Sequence, residues 1–349
     1  MPKNLKSLLS GVKYGHKVYP DEILDAGSGA PLPRKDGQLV FVDGTNGNDN
    51  NDGLSVDVAV KTIAQGISIA AAYDTIMVFS KTITDATGDP TSYEENLTIP
   101  FSKPGLSIIG VSRGLTQGGL PQLKDGTTTT QHILRVRAPG CLIANLGFNG
   151  AGNTGGGILL DDDYSTKAAW GTTIAGCHFK NCKGTTATNA ATGGAINWSS
   201  TGNSSQVRIV GNRFYKNVGD IVLPGTSNTV PQDVIIEDNI FSGPAASVDC
   251  NLYLAGGSGM NGVIIRNNVF TAVPAVGSGT NAQCMALTGC VGILSGNTFA
   301  TSTAEGGTER TFGAAGDELV PTTVFMAGNY GEFSTGVGAG LISGEIFRT

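Results

Sequence analysis

The sequence predicts an all-β protein, a right-handed parallel β-helix (solenoid) with an N-terminal cap helix and an extended N-terminal arm. Three observations support this fold class. A short pattern recurs between Ile143 and Phe299, and a period of this length is typical of stacked structural repeats. Apolar residues alternate with other residues inside each copy, as they do in strands. No helical pattern separates the copies, so the strands are expected to wind as a solenoid.

Each copy of the repeat is anchored on a phenylalanine. The six anchors lie 27 to 35 residues apart, at Phe148, Phe179, Phe214, Phe241, Phe270 and Phe299. Five positions before each anchor stands an aliphatic residue: Ile143, Ile174, Ile209, Ile236, Ile265 or Leu294. A weaker seventh copy contains Val324, Met326 and Asn329. About eight coils at roughly 4.8 Å each give a rod on the order of 40 Å long.

An asparagine column accompanies the anchors. Two positions before the last four anchors stand Asn212, Asn239, Asn268 and Asn297, where the first two copies have Leu146 and Cys177. Buried polar groups need hydrogen-bond partners. We therefore expect the four amides to point inward at a bend and to bond to the amides one coil above and below, as a structural ladder.

The chain divides into three segments. Residues 1–38 carry scattered lysines and prolines, and their only compact apolar group is Leu5, Leu8 and Leu9. We interpret them as an assembly arm that orders against a partner, with a disordered tail as the alternative. Residues 39–300 are expected to form the β-helix, with the cap helix near 61–72. The glycine-rich residues 301–349 are expected to form an irregular closing segment.

Composition excludes several classes of protein. The formal net charge of −6 and the pI near 5.1 argue against a nucleic-acid groove, which needs clustered basic residues. No apolar stretch approaches the length of a membrane span. The only apolar run in residues 1–17 is Leu8-Leu9, too short for a signal-peptide core, so we expect synthesis in a cytosol. The six cysteines lack metal-ligand spacing and are expected to be buried thiols.

The opening of the chain carries a characteristic order of motifs. Phe41-Val42 precedes an Asp/Asn/Gly loop over residues 43–53, followed by the cap helix, a strand at Thr75–Phe79 and the motif Tyr93-x-Glu95-Asn96. From Phe41 to about Ala300 this order resembles the pectate-lyase-like β-helix superfamily. The resemblance implies the fold. It does not imply an activity, because the superfamily includes lyases, hydrolases, phage tailspikes and inert surface proteins.

Catalytic candidates follow from that resemblance. β-Helix hydrolases use paired carboxylates as acid and base, which points to Asp161 and Asp163, whereas lyases of this fold use an acidic Ca²⁺ site and an arginine base. A solvated loop cluster is the interpretation we favour for Asp161 and Asp163. Glu237 and Arg266 are the remaining candidates, and cross-strand ion pairing is the ordinary explanation for them.

One loop could hold a metal. Asp43, Asp49 and Asp52 lie in an oxygen-rich segment that could bind Ca²⁺. The segment lacks the alternation and the closing glutamate of an EF-hand loop, and Asp, Asn and Gly also favour tight turns. We favour a structured turn and therefore expect no cofactor.

The sequence leads to two functional hypotheses. The first is a non-enzymatic surface protein of a bacteriophage virion, made in the host cytoplasm. It would be a head decoration (cement) protein, a homotrimer bound to the major capsid protein or another virion protein. The alternative is a phage tailspike depolymerase, a glycoside hydrolase or lyase acting on bacterial surface glycan. A bacterial adhesin is a third possibility, and it requires an export route.

Overall fold

The protein is a parallel β-solenoid, as the repeat predicts. The computed structural model describes residues 37–82, 91–111, 119–128, 130–150, 154–164, 167–184, 193–199, 204–224, 230–242, 250–256, 258–272, 283–301, 320–331 and 340–342. Three parallel sheets, here called A, B and C, run the length of this part of the chain. In each regular turn a strand of sheet C is followed by one of sheet A and one of sheet B.

Sheet A has ten strands, all parallel: β1 (Leu39–Val42), β2 (Thr75–Phe79), β5 (Ser107–Val111), β8 (Leu142–Ala144), β13 (Thr173–Ala175), β16 (Arg208–Val210), β19 (Ile235–Glu237), β22 (Asn261–Arg266), β25 (Val291–Ser295) and β27 (Val324–Ala327). Sheet B also has ten: β3 (Tyr93–Glu94), β6 (Gln122–Lys124), β9 (Gly147–Asn149), β14 (His178–Lys180), β17 (Arg213–Tyr215), β20 (Ile240–Ser242), β23 (Val269–Ala272), β26 (Thr298–Thr301), β28 (Asn329–Gly331) and β29 (Gly340–Ile342).

Sheet C has seven strands: β4 (Leu97–Ile99), β7 (Leu134–Val136), β10 (Ile158–Leu160), β15 (Ile196–Trp198), β18 (Gly219–Val222), β21 (Cys250–Tyr253) and β24 (Gln283–Ala286). A short antiparallel hairpin, β11 (Asp162–Tyr164) with β12 (Lys167–Ala168), leaves the solenoid after β10. β27 and β28 extend sheets A and B past residue 300, the expected end of the regular coils. The last strand, β29, turns back antiparallel to β28.

The phenylalanine anchors form a continuous stack inside sheet B. Neighbouring anchors from Phe148 to Phe299 are paired in register, with ring centroids 4.7 to 5.1 Å apart. Their planes are nearly parallel, and their spacing equals the strand spacing of a sheet. The aliphatic column, Ile143 to Leu294, is aligned in the same way on the inner side of sheet A. Both columns are buried and form the centre of the core.

The predicted asparagines lie together at the bend between sheets A and B. Asn268 shows the pattern: its Oδ1 accepts hydrogen bonds from the backbone N–H and from the Nδ2 of Asn239, both at 3.0 Å. Its Nδ2 donates to the carbonyl of Ile236, also at 3.0 Å. The pattern repeats along the bend and extends one coil beyond the expected four, and its members are Asn212, Asn239, Asn268, Asn297 and Asn329.

The residue before each ladder position has a left-handed backbone. These residues are Asn145, Gly176, Gly211, Asp238, Asn267, Gly296 and Gly328, with φ between 55° and 64°. Only glycine, and to a lesser degree asparagine and aspartate, adopt this conformation readily. The column begins two coils before the first ladder asparagine, where Leu146 and Cys177 occupy the ladder position. The left-handed residue therefore makes the bend, and the asparagine of the next coil satisfies backbone groups on either side of it, as Asn239 does for the N–H of Asn212 and the carbonyl of Ile209.

The N-terminal end of the solenoid is covered by helix α1 (Ile63–Ile69), which packs against β1, β2 and β4. Its buried residues are Ile63, Gly66 and Ile67, so the expected apolar face is turned to the core. α1 has seven residues, and in the part of the chain that the structure describes no helix could span a membrane. The expected arm, with Leu5, Leu8 and Leu9, lies outside the described residues.

Replacing Asn268 with Ala is expected to lower the free energy of unfolding by about 1–3 kcal/mol, because it removes the acceptor of two donors on Asn239 and the donor to Ile236. Urea denaturation followed by circular dichroism measures the change. Asn50→Ala, at an exposed position of the loop before α1, is the matched control and should change stability little. Equal stabilities for the two variants would show that the ladder is not a significant source of stability.

Candidate functional site

The strongest charged cluster lies on the outer side of sheet A. Glu237 ends β19, and its carboxylate lies between two arginines from the neighbouring strands β16 and β22. Arg208 Nη2 donates to Oε1 at 2.6 Å, and Arg266 donates to Oε2 through Nη2 at 2.6 Å and Nε at 2.7 Å. The Glu237 side chain is 7% exposed. We call this set, Arg208, Glu237 and Arg266, the arginine–glutamate triad.

The environment of Glu237 keeps it ionised. Burial alone would raise its pKa, but hydrogen bonds and charge from Arg208 and Arg266 outweigh burial, so the pKa is lowered from its usual value. A carboxyl group with a lowered pKa is a poor proton donor near neutral pH, because general acids work best with a pKa near the working pH. Arg266 is likewise engaged in an ion pair. The expected cross-strand pair is therefore present, and Arg208 is added to it.

Asp161 lies in a second pair of arginines. It follows β10, and only 5% of its side chain is exposed. Its Oδ2 accepts from Arg135 Nε and, at 3.2 Å, from Arg137 Nε. The expectation of a solvated loop cluster is therefore wrong for Asp161. The reason is register: Leu160 pairs with Val136 of the preceding coil, which brings Asp161 beside Arg137. Asp163 lies in the hairpin strand β11, and its side chain is outside the described residues.

His132 lies close to the Asp161 ion pairs. Burial and the charge of Arg135 together lower the pKa of His132 to about 4, and the charge of Asp161 opposes them only in part. The imidazole is therefore neutral at neutral pH. The positive charge of Arg135 would repel the positive charge that protonation adds to His132.

The structure brings Glu237 and Arg266 together as an ion pair but places Asp161 apart from them. Asp161 follows a strand of sheet C, whereas Glu237 and Arg266 lie on sheet A. The sheet A strand in the turn of Asp161 is β13, which is two strands away from β19. Each carboxylate is instead engaged by two arginines. The arrangement can stabilise the outer face of the solenoid, but it does not place two free carboxyl groups across one groove.

The three candidate metal ligands accept hydrogen bonds from the protein. Asp43 accepts from the N–H groups of Thr45 and Asn46, and Asp52 accepts from Leu54 N–H. Burial opposes ionisation of Asp43, but the hydrogen bonds from Asn46 and Thr45 prevail and lower its pKa. Among the described residues no group of three His, Cys, Asp or Glu side chains is arranged to hold a metal ion.

Asp49 connects the loop to helix α1. Its Oδ1 accepts from Lys61 N–H at 2.8 Å and Thr62 N–H at 2.9 Å, and its Oδ2 accepts from Thr62 Oγ1 at 3.0 Å. Thr62 in turn caps the helix by accepting from Gln65 N–H. Asp49 therefore holds the residues that begin the helix, with a negative charge at the favourable end of its dipole.

The Tyr93-x-Glu95 motif completes the cap. The Glu95 carboxylate accepts from Ile63 N–H at 3.0 Å and Ala64 N–H at 2.8 Å, and burial raises its pKa. The Tyr93 hydroxyl donates to Phe79 O and accepts from Gly44 N–H. Both side chains thus satisfy backbone groups. The sequence analysis singled out the Tyr93-x-Glu95 motif but did not predict what it bonds to, because the helix N-terminus lies about thirty residues earlier in the chain.

The described tryptophans do not line a common groove, and the thiols are unreactive. Trp198 is fully buried, whereas Trp170 and Tyr215 are exposed and lie in different parts of the surface, in the bend before β13 and at the end of β17. All six cysteines are buried and outside disulfides, as expected. Burial raises the pKa of the thiols of Cys141 and Cys177 to about 12, which keeps them protonated and unreactive.

Comparison with known proteins supports the fold. The chain matches no family model and no curated protein. It is similar to a crystal structure of a GH136 lacto-N-biosidase from Eubacterium ramulus, with a TM-score of 0.57 and 11% identity over 86% of this chain and 56% of that one. The chain thus spans little more than half of that structure's length.

Two lyases are similar at lower scores. Pectate lyase Pel9A gives a TM-score of 0.46 and 12% identity, with 87% of this chain and 81% of that chain covered. A rhamnogalacturonan lyase gives 0.42 and 12%, with 83% and 82% covered. At these identities the likeness concerns the fold alone. The protein is a parallel β-solenoid that resembles pectate lyase and GH136 structures.

Replacing Asp49 with Ala is expected to lower the free energy of unfolding by about 1–2 kcal/mol, because three donors at the start of α1 lose their acceptor. Asp52→Ala, which removes one exposed hydrogen bond, is the matched control and should lower the free energy of unfolding less.

Thermal melts with added Ca²⁺ and with a chelator test whether this loop binds the metal. A melting temperature that rises with Ca²⁺ and loses that rise in both variants would show that the loop binds the metal.

The lowered pKa of Glu237 makes stability depend on pH in a defined direction. The charged form stabilises the fold fully above the ordinary pKa of 4.5, and this contribution is lost as the pH falls through the lower folded value. Glu237→Gln is therefore expected to be less stable than wild type near neutral pH, and the difference should shrink below pH 4.5.

Urea denaturation at a series of pH values measures this difference. Glu94→Gln is the control, because Glu94 pairs with Lys124 at the surface with 64% of its side chain exposed, and such pairs contribute little. A difference between wild type and Glu237→Gln that does not vary with pH would mean that Glu237 contributes through packing rather than charge.

Proposed function

We propose that this protein is a non-enzymatic surface protein of a bacteriophage virion, most specifically a head decoration (cement) protein. One observation supports this best: among the described residues, the candidate catalytic and candidate metal-binding carboxylates are engaged in structural contacts. Asp161 and Glu237 are each paired with two arginines. Asp43, Asp49 and Asp52 accept hydrogen bonds from backbone N–H groups. These five carboxylates thus contribute to stability, which supports a structural role.

The architecture suits a stiff projection. Parallel strands, the phenylalanine stack and the asparagine ladder all repeat at one axial spacing, so bending the rod would disturb all three at once. In this proposal the rod projects from the particle, and residues 1–38 anchor it through Leu5, Leu8 and Leu9 to the major capsid protein or another virion protein. Several copies associate side by side, as a homotrimer, and the protein is made in the host cytoplasm.

The competing function is a tailspike depolymerase that cleaves bacterial surface glycan. The chain shares its fold with a lacto-N-biosidase, with a TM-score of 0.57. At 11% identity this likeness supports the fold and not the activity. Its catalytic residues would be Asp161, Asp163, Glu237 and Arg266, and substrate binding would have to break the ion pairs that Asp161 and Glu237 make.

The proposal predicts the protein on the head of purified phage particles. Cryo-electron microscopy should show rods on the head surface, and the double variant Leu8→Asp/Leu9→Asp should lower their occupancy about tenfold or more, since charge is not tolerated in an apolar contact. Leu54→Asp, at a body position that is 53% exposed, is the matched control and should bind normally. Circular dichroism should be the same for all three proteins.

Two outcomes would contradict the proposal. The first is the absence of the protein from purified particles. The second is the appearance of new reducing ends or unsaturated sugars when the protein is incubated with host capsular polysaccharide or lipopolysaccharide, provided that Glu237→Gln or Asp161→Asn abolishes them. The second result would establish the depolymerase instead.

A further inference from the structure

The outer side of sheet A carries an exposed apolar row near its C-terminal end. Ile235, Ile264, Ile293 and Phe325 pair in register on the successive strands β19, β22, β25 and β27. Ile293 is 42% exposed and Phe325 is 58% exposed, while Ile235 and Ile264 are half-buried. We call these four residues the apolar stripe. It runs along the solenoid axis, with neighbouring side chains about 4.8 Å apart.

The stripe is not part of the core. The inward positions of the same strands belong to Ile236, Ile265 and Leu294, which are fully buried. A sheet face that meets water normally carries polar residues. Val291, beside the stripe on β25, adds a further exposed aliphatic side chain at 44% exposure. Contiguous exposed apolar surface of this kind marks an interaction site on soluble proteins.

The stripe continues an apolar surface at the other end of the same face. The outward positions of the earlier strands also carry apolar side chains, and these are already buried: Met77, Ile109, Leu142, Ala144, Ala175 and Val210. The arginine–glutamate triad, on β16, β19 and β22, lies beside Ile235 and Ile264, the first two residues of the stripe. The outer side of sheet A is therefore apolar and buried toward its N-terminal end, and toward its C-terminal end it carries an exposed apolar stripe with charged neighbours.

We propose that the apolar stripe is the contact surface for a second copy of this chain. The first argument is periodicity. The stripe repeats with the strand spacing of the solenoid, and a second solenoid lying alongside has the same repeat, so its side chains can interlock with the stripe level by level. A helical partner would not share this repeat, because its residues rise by about 1.5 Å along the axis.

The second argument is charge. The triad has two arginines and one glutamate, so one positive charge remains, and the guanidinium side chains are 39% and 48% exposed. At the two ends of β19 the chain exposes Asp233 and Asp238. A face with an apolar stripe, a basic triad and an exposed aspartate at each edge is complementary to a second copy of itself, because an aspartate of one copy can meet an arginine of the other.

This inference rests on the self-association part of the proposed function and not on the virion location. It is tested on the purified full-length protein, without phage. Light scattering after size-exclusion chromatography should give an oligomeric mass for wild type and a monomeric mass for Ile293→Asp and for Phe325→Asp. Val56→Asp, at a position near α1 that is 57% exposed, is the matched control and should keep the oligomeric mass.

A milder variant distinguishes loss of association from misfolding. Ile293→Cys adds one exposed thiol to a protein whose own thiols are buried. Its alkylation by a bulky maleimide should slow at least about tenfold as the protein concentration is raised through the association range, whereas a Val56→Cys thiol should react at one rate throughout.

Three results would overturn the inference: a monomeric wild type, an oligomer that survives both aspartate substitutions, or an Ile293→Cys thiol whose reactivity is independent of concentration. A virion that lacks the protein would contradict the proposed function while leaving these results unchanged.

Discussion

From the third phenylalanine anchor onward, the bend between sheets A and B is stabilised by one repeated interaction, the hydrogen bonding of an inward asparagine to the coil before it. A left-handed residue turns the chain there, and turning it takes backbone N–H and C=O groups out of the sheet ladders. Each asparagine supplies an acceptor for one N–H and a donor for one carbonyl, as Asn239 does for Asn212 and Ile209. Without these bonds the bend would bury unsatisfied backbone groups in the core, which is costly.

The rest of the solenoid is organised around that bend. Since the ladder links successive coils at a fixed position, it sets the register of sheets A and B on either side. That register aligns Ile236 with Ile265, and Phe241 with Phe270. The same alignment acts on the outer face, where it places Glu237 between arginines of neighbouring strands. Charged contacts at the surface are therefore a consequence of the register that the core requires.

The sequence was most informative where spacing is constant. The aliphatic, asparagine and phenylalanine positions keep fixed offsets, so the strands of sheets A and B and the inward columns could be predicted. The distance from one phenylalanine to the next aliphatic residue varies, which hid the register of sheet C. For this reason the arginines around Asp161 were missed, although Arg135 and Arg137 flank an apolar strand residue, Val136. The role of Glu95 was missed because its partners are backbone groups far away in the sequence.

The constant spacing also determines where the protein can change. In all six copies the phenylalanine follows the aliphatic position by five positions, so every difference in coil length, from 27 to 35 residues, falls in the remainder of the turn. Insertions between the strands there leave the ladder and the ring stack in place, whereas one residue added between the aliphatic position and the phenylalanine would turn inward side chains outward. The loops on one side of the rod can therefore differ in length from coil to coil, while sheet A and the bend keep one shape.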